Sequence, residues 1–265
     1  HFEAMENSHF YGHGVYLPSG NEILCTENYY EDGTGIITLR DTKDFKVKKF
    51  FSSHGVGPHQ MELLADNKTV LVANGGIKTN KKSKTLDSSL VTIDIESDKK
   101  LTEFRFDQHP YLSFRHTILT HDGTYACCIQ EQTEMTGKKN LALTGPFAFI
   151  FHPDKTITQL KSDKQFEKYD GHSLSIAYHP QKKVLALTHP HTGYGSFWNG
   201  KTGDFISEFK FPGCKGVSIT QNQKLFVFTG AEGSVKLFQA KNLEEEYSYF
   251  RGIPKINWSS HSLSI

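Results

Sequence analysis

A short strand opening recurs six times along the chain, and its spacing restricts the fold more than any other feature. His13-Gly-Val-Tyr-Leu17, His59-Gln-Met-Glu-Leu63, His116-Thr-Ile-Leu-Thr120, His172-Ser-Leu-Ser-Ile176, Lys215-Gly-Val-Ser-Ile219 and His261-Ser-Leu-Ser-Ile265 align position by position. Their first residues lie 46, 57, 56, 43 and 46 apart. One four-stranded propeller blade takes roughly 40–50 residues, so this period specifies an all-β fold, a β-propeller. Five of the six openings begin with His, which marks one recurrent place on the molecule.

Each opening is followed by turn residues and a second apolar run, the pattern of a short hairpin. Glu22–Thr26, Thr69–Ala73, Tyr125–Ile129, Val184–Thr188 and Leu225–Thr229 are these second strands. A third and a fourth run complete each unit, as in Leu90–Ile95 with Leu101–Phe106 and Gly195–Trp198 with Phe205–Phe211. The last is Ser234–Phe238 with Tyr247–Phe250. The alternation in the fourth runs fits outer, half-exposed strands. The reading is one propeller domain over residues 1–265, with five complete blades and a closing strand at His261–Ile265. The chain opens on His1-Phe-Glu-Ala-Met5, the tail of something earlier, so the domain is expected to be N-terminally incomplete.

Composition removes several function classes. Thirty Lys and Arg against 29 Asp and Glu leave no long-range field for nucleic acid. The basic run Lys78–Lys84 lacks interleaved aromatics for base stacking and reads as a solvated loop. Cys25, Cys127, Cys128 and Cys214 form no C-x-x-C pair, so zinc-ribbon and thioredoxin chemistry are excluded. Cys25 and Cys127 sit at strand positions as small apolar fillers. No apolar stretch approaches the ~20 residues of a membrane span, and no signal peptide is visible.

The long insertions Asn28–Thr34, Asn74–Ser89, Glu131–Gly145 and His189–Tyr194 all fall between second and third strands. In a propeller these share a face with the starts of the first strands, and such a face carries function. His13, His59, His116, His172 and His261 should therefore converge at one mouth of the channel, with Lys215 in the sixth place. The second strands add Glu27, Asn28, Asn74, Gln130, Glu131 and His189. Imidazoles with carboxylates suit iron, copper or zinc. Two other readings stand beside a transition-metal cofactor. Each His can bond the backbone of the next blade, or the mouth can be a polar funnel for an anionic or sugar-like ligand, charged by Arg115 and Lys215.

Weaker candidates are a Glu27–Glu131 acid–base pair and a His189-Pro-His191 chelate. Trp198 reads as core packing. No G-x-S-x-G elbow is present, and Asn74-Gly75-Gly76 is a turn with no helix behind it to cradle phosphate.

Three stretches carry a family likeness: Phe10–Val15 with Thr26–Asn28, Ser53–His59 with Val72–Gly76, and Phe114-Arg-His116. They resemble the bacterial domain-of-unknown-function family 1513. The resemblance implies a seven-bladed propeller, exported to the periplasm and encoded near iron-uptake proteins of the imelysin type, with no established activity. It also implies about two blades of chain ahead of the Phe10 motif. Gly57-Pro-His59 and Val72-Ala-Asn74 are similar, less specifically, to lactonases of the phosphogluconolactonase type. The expected function is a non-enzymatic periplasmic binding or scaffold protein. Its ligand would be a metal or small molecule, and its partners iron-uptake proteins. A lactonase-like hydrolase or metal-dependent oxidoreductase at the same mouth, and a protein-interaction platform on the long loops, are the alternatives.

Overall fold

The computed structural model describes residues 2–79, 84–106, 111–121, 123–132, 148–160 and 171–247. The chain divides into two compact units, His1–Thr117 with Glu131–Lys139, and Ile118–Gln130 with Asn140–Ile265. The closing strand expected at His261–Ile265 lies outside the described residues.

The first unit begins with four strands, β1 (Ser8–Tyr16), β2 (Glu22–Tyr29), β3 (Thr34–Asp41) and β4 (Val47–Val56), paired in that order. The second sheet contains β5 (Pro58–Leu63), β6 (Thr69–Asn74), β9 (Ser89–Asp94) and β10 (Lys100–Phe104) in the order β10-β9-β6-β5. Within the expected insertion 74–89 the chain builds a further ladder. Here β7 (Ile77–Thr79) and β8 (Lys84–Leu86) pair Ile77 with Leu86 and Thr79 with Lys84. The strands are antiparallel throughout, as consecutive hairpins require.

Between these two sheets lies the core of the first unit: Leu24, Ile37 and Phe51 against Met61, Val70, Val72, Val91 and Ile93. In β6 every residue from Thr69 to Asn74 is buried, so the strand is covered on both faces. Its continuous Val-Leu-Val-Ala run is the sequence signature of that position.

Strand β11 (Leu112–Leu119) carries the division between the units, at Thr117/Ile118. It belongs to a sheet in the order β11-β12-β13-β14, with β12 (Tyr125–Glu131), β13 (Ala148–Phe151) and β14 (Ile157–Gln159). The second unit continues with β15 (Ile176–His179), β16 (Val184–His189), β17 (Tyr194–Asn199) and β18 (Phe205–Lys210), paired in sequence. Three more strands follow, β19 (Gly216–Ile219), β20 (Leu225–Thr229) and β21 (Val235–Gln239). The fourth strand expected at Tyr247–Phe250 lies, past Tyr247, outside the described residues; just before it, Phe238 bridges to Glu245.

Alternation along β16 divides its side chains between two cores. Leu185 and Leu187 join Trp198, Tyr178 and Ile150 on one face. Val184 and Ala186 join Phe197, Phe226, Phe228 and Phe238 on the other. Trp198 is fully buried, and its indole N–H donates to Ser196 Oγ at 2.8 Å, which confirms its packing role. All four cysteines are buried, which agrees with the filler reading of Cys25 and Cys127.

Candidate metal centre

Three of the recurrent histidines meet in the first unit. The ring centroids of His13 and His59 are 5.6 Å apart, those of His13 and His116 5.3 Å, and those of His59 and His116 4.7 Å. One nitrogen from each ring lies within 4.8 Å of the other two. His116 is buried at 4% exposure, while His13 and His59 are half-buried.

The sequence placed these residues at strand starts; His59 does stand near the start of β5, while His13 and His116 lie inside β1 and β11, and His13 and His59 fall on bulges. Between β1 and β2 the register runs Phe10↔Glu27 and then Gly14↔Cys25, so β1 carries surplus residues at 11–13. Gly12 at φ +104° supplies the backbone conformation that this needs. The Thr26 hydroxyl fills the broken ladder, donating to the His13 carbonyl at 3.2 Å and accepting from its N–H at 3.4 Å. Between β5 and β6 the register runs Pro58↔Asn74 and then Gln60↔Ala73, which makes His59 the surplus residue. A bulge turns its side chain away from the ordinary pleat, a common device for aiming a functional group. His116 comes from the middle of β11, whose backbone is gripped by Gln60. The Gln60 amide donates to the Thr117 carbonyl at 3.0 Å and accepts from the Thr117 N–H at 3.3 Å.

Tyr11 stands edge-on to His59, with ring centroids 6.2 Å apart. Arg115 is electrostatically linked to the Tyr11 hydroxyl, and burial pushes its guanidinium below the usual arginine range. Its Nε is buried and has no hydrogen-bond partner among the described residues. Tyr11 was missed from the sequence; its place two residues before His13, beside the bulge-forming Gly12, was the available signal.

Several expected site residues have other roles. Glu27 is fully buried and serves as a structural anion rather than a ligand group at a mouth. Its Oε1 accepts from Arg40 Nη2 and Thr38 Oγ1, both at 2.7 Å. Its Oε2 accepts from Ser8 Oγ at 2.7 Å and the Met5 N–H at 2.8 Å. Burial pushes its carboxyl up, but the bonds from Met5, Thr38, Arg40 and Ser8 outweigh that and hold it below the usual carboxylate range. A carboxylate so engaged cannot serve as the acid–base partner expected with Glu131. Glu131 ends β12, half-buried.

Asn74 is buried and uses its amide N–H groups to tie Ser53 O, at 3.0 Å, to Ser89 Oγ, at 3.1 Å. Asn28 is also buried, at 5% exposure. Each asparagine keeps a side-chain oxygen without a hydrogen-bond partner among the described residues.

His172 and Lys215 belong to the second unit. His172 is 7% exposed, bridges to Gln130 and packs on His191, with ring centroids 4.2 Å apart. Lys215 just precedes β19, and its carbonyl accepts from Thr188 Oγ1 at 2.8 Å. His189 forms no chelate with His191. It is fully buried, with Nδ1 3.2 Å from the His172 carbonyl and Nε2 2.7 Å from Ser196 Oγ. Burial drives its pKa down to about 3, so the ring is neutral. His261 lies outside the described residues.

An ion with tetrahedral bonds of about 2.1 Å needs donor nitrogens about 3.4 Å apart. Side-chain rotations bringing the three rings together by up to about 1.4 Å meet that demand. Three neutral imidazoles suit zinc, copper, iron or nickel, and three protein ligands leave a coordination position open. Surface hollows at His179–Gln223 and at Tyr29–Asp32 hold no comparable set of donors among the described residues.

Blades of antiparallel strands define this chain as a β-propeller, and comparison with solved structures agrees. Hydrazine synthase from Kuenenia stuttgartiensis is similar at 17% identity and a TM-score of 0.63, over 86% of this chain and 70% of that one. The β-propeller domain of Cps50 (Swd1) from Myceliophteria thermophila is similar at 12% identity and a TM-score of 0.62, over 93% and 70%. Likeness at this level of identity concerns the fold alone. The chain belongs to the family described as protein of unknown function DUF1513, whose profile matches residues 1–265. No curated protein matches it. Among the described residues, no helix is long and apolar enough to cross a membrane.

Proposed function

We propose that this propeller binds a transition-metal ion through His13, His59 and His116. The observation that carries the reading is the meeting of three imidazoles from three different strands within 4.8 Å. A lock between neighbouring strands is the competing role for such histidines. At β5 and β11 that work is done by Gln60, whose amide holds both backbone groups of Thr117. The joining of these strands therefore does not require the imidazoles. The reading extends to a non-enzymatic protein of the periplasm that takes part in iron or other metal acquisition alongside iron-uptake proteins. Support for that extension is the family likeness.

The test is elemental analysis and equilibrium titration of purified protein with ferrous, cupric and zinc ions. Bound metal is expected in wild type, with affinity falling at least ~100-fold in the His59→Ala/His116→Ala double variant. His172→Ala, in the other unit, should bind as wild type does. Affinity weaker than about millimolar for all three ions in wild type overturns the reading.

A further inference from the structure

We infer that Arg115 is the anchor for a small oxyanion that completes the coordination of the metal held by the three histidines. The inference rests on the metal reading above and names what fills the open position.

The argument begins with charge. Three neutral imidazoles do nothing to offset a divalent ion. Arg115 is electrostatically linked to Tyr11, whose ring stands against His59, and so brings another positive charge toward the cluster. Its Nε is shut away from water without a hydrogen-bond partner, and no carboxylate among the described residues forms an ion pair with it. The buried carboxylate of the unit, Glu27, is committed to Arg40 at 2.7 Å. Glu62, on β5, is bonded by Gln60 at 2.8 Å. A guanidinium whose Nε is buried without a partner is costly, and a cation placed nearby raises that cost. An oxyanion with one oxygen toward the metal and another toward the guanidinium relieves both charges.

A run of contacts leads from the guanidinium toward the histidines. Arg115 Nη1 lies over Gly75, 3.4 Å from where a Cβ on that residue would be. The Gly75 N–H donates to the Gly57 carbonyl at 2.7 Å. On Gly57, a Cβ would sit 3.4 Å from the Tyr11 hydroxyl. Guanidinium, two glycines and the Tyr11 hydroxyl are therefore successive neighbours, and the Tyr11 ring leads to His59. The run has a forked donor at one end and a hydroxyl donor at the other. Arginine forks match the paired oxygens of carboxylates and phosphates.

Cobalt(II), whose visible spectrum reports coordination, serves as the metal probe for the full chain. Acetate and inorganic phosphate are the anion probes. In wild type, one or both should change the cobalt spectrum and tighten cobalt binding, because coupled sites tighten one another reciprocally. A response to acetate alone, phosphate alone or both supports the inference and says which oxyanion is preferred. In Arg115→Gln the cobalt affinity without anion should equal or exceed that of wild type, and the anion response should weaken at least ~tenfold. Arg115→Lys, which keeps the charge but loses the fork, should fall between the two and serves if the glutamine variant does not fold. Cobalt binding without any anion response in wild type overturns the inference and leaves the metal reading standing. So does an anion response unchanged in either variant. Failure of wild type to bind cobalt, with or without anion, overturns the metal reading itself and with it this inference.

Discussion

Replacing Glu62 with Gln should stabilise the metal-free protein at alkaline pH and leave it unchanged in acid. Glu62 lies half-buried on β5, and burial of its carboxyl raises its pKa from 4.5 to about 7. The single bond from Gln60 Nε2, at 2.8 Å, opposes the rise but does not cancel it. The folded chain therefore holds the Glu62 proton more tightly than the unfolded chain does. Stability from this group is complete below about pH 4.5, declines as pH rises toward about 7, and is flat above. At about 1.4 kcal/mol per pH unit the interval amounts to roughly 3 kcal/mol. Glutamine has the shape of the protonated acid, accepts the same bond from Gln60 and never ionises. Urea unfolding of chelator-treated wild type and Glu62→Gln should give coincident midpoints near pH 4.5. The variant should gain roughly 3 kcal/mol by about pH 8, with unchanged denaturant slopes. A gain that is the same at every pH, or a variant less stable than wild type at about pH 8, would refute the reasoning.

Two further substitutions test other buried groups. His189 has its pKa lowered to about 3 by burial, so it contributes stability above its ordinary 6.5 that is lost as pH falls toward about 3. Wild type should weaken on acidification through that window, and His189→Asn should flatten the slope while costing stability at neutral pH, both read by thermal unfolding. Arg40→Met leaves Glu27 buried without its cation and should cost about 3–5 kcal/mol in urea unfolding; adding Glu27→Gln should recover part of the loss.

The blade period was legible because each unit repeats the same turn and alternation. The resulting strands fall where the second and third runs were placed, from Thr69–Asn74 to Val235–Gln239. The histidines were legible as a recurrent feature, but their gathering was only partly so. His13 and His59 reach their partner through surplus residues in β1 and β5, and a ladder register is a property of two strands, which one strand's sequence does not reveal. Glu27 misled for a similar reason. Its cation sits thirteen residues on, in β3, and the two meet because residues 27, 38 and 40 face the same side of neighbouring strands. His189 follows the apolar run Val184–Thr188, and the burial of that run on both faces carries the histidine inward as well. Cys25 and Cys128 behaved as apolar residues should, their thiols pushed up to about 11 and about 12 by burial.

The extra residues in β1 and β5 separate two jobs that a regular strand would combine. Pro58 and Gln60 keep their cross-strand partners, Asn74 and Ala73, whatever occupies the position between them. The donor at position 59 can thus be exchanged for a softer or harder one, cysteine or aspartate, while the pairing that holds the sheet together is spared. On the proposed metal reading, a scaffold arranged this way could be retuned from one ion to another by changes at single surplus positions.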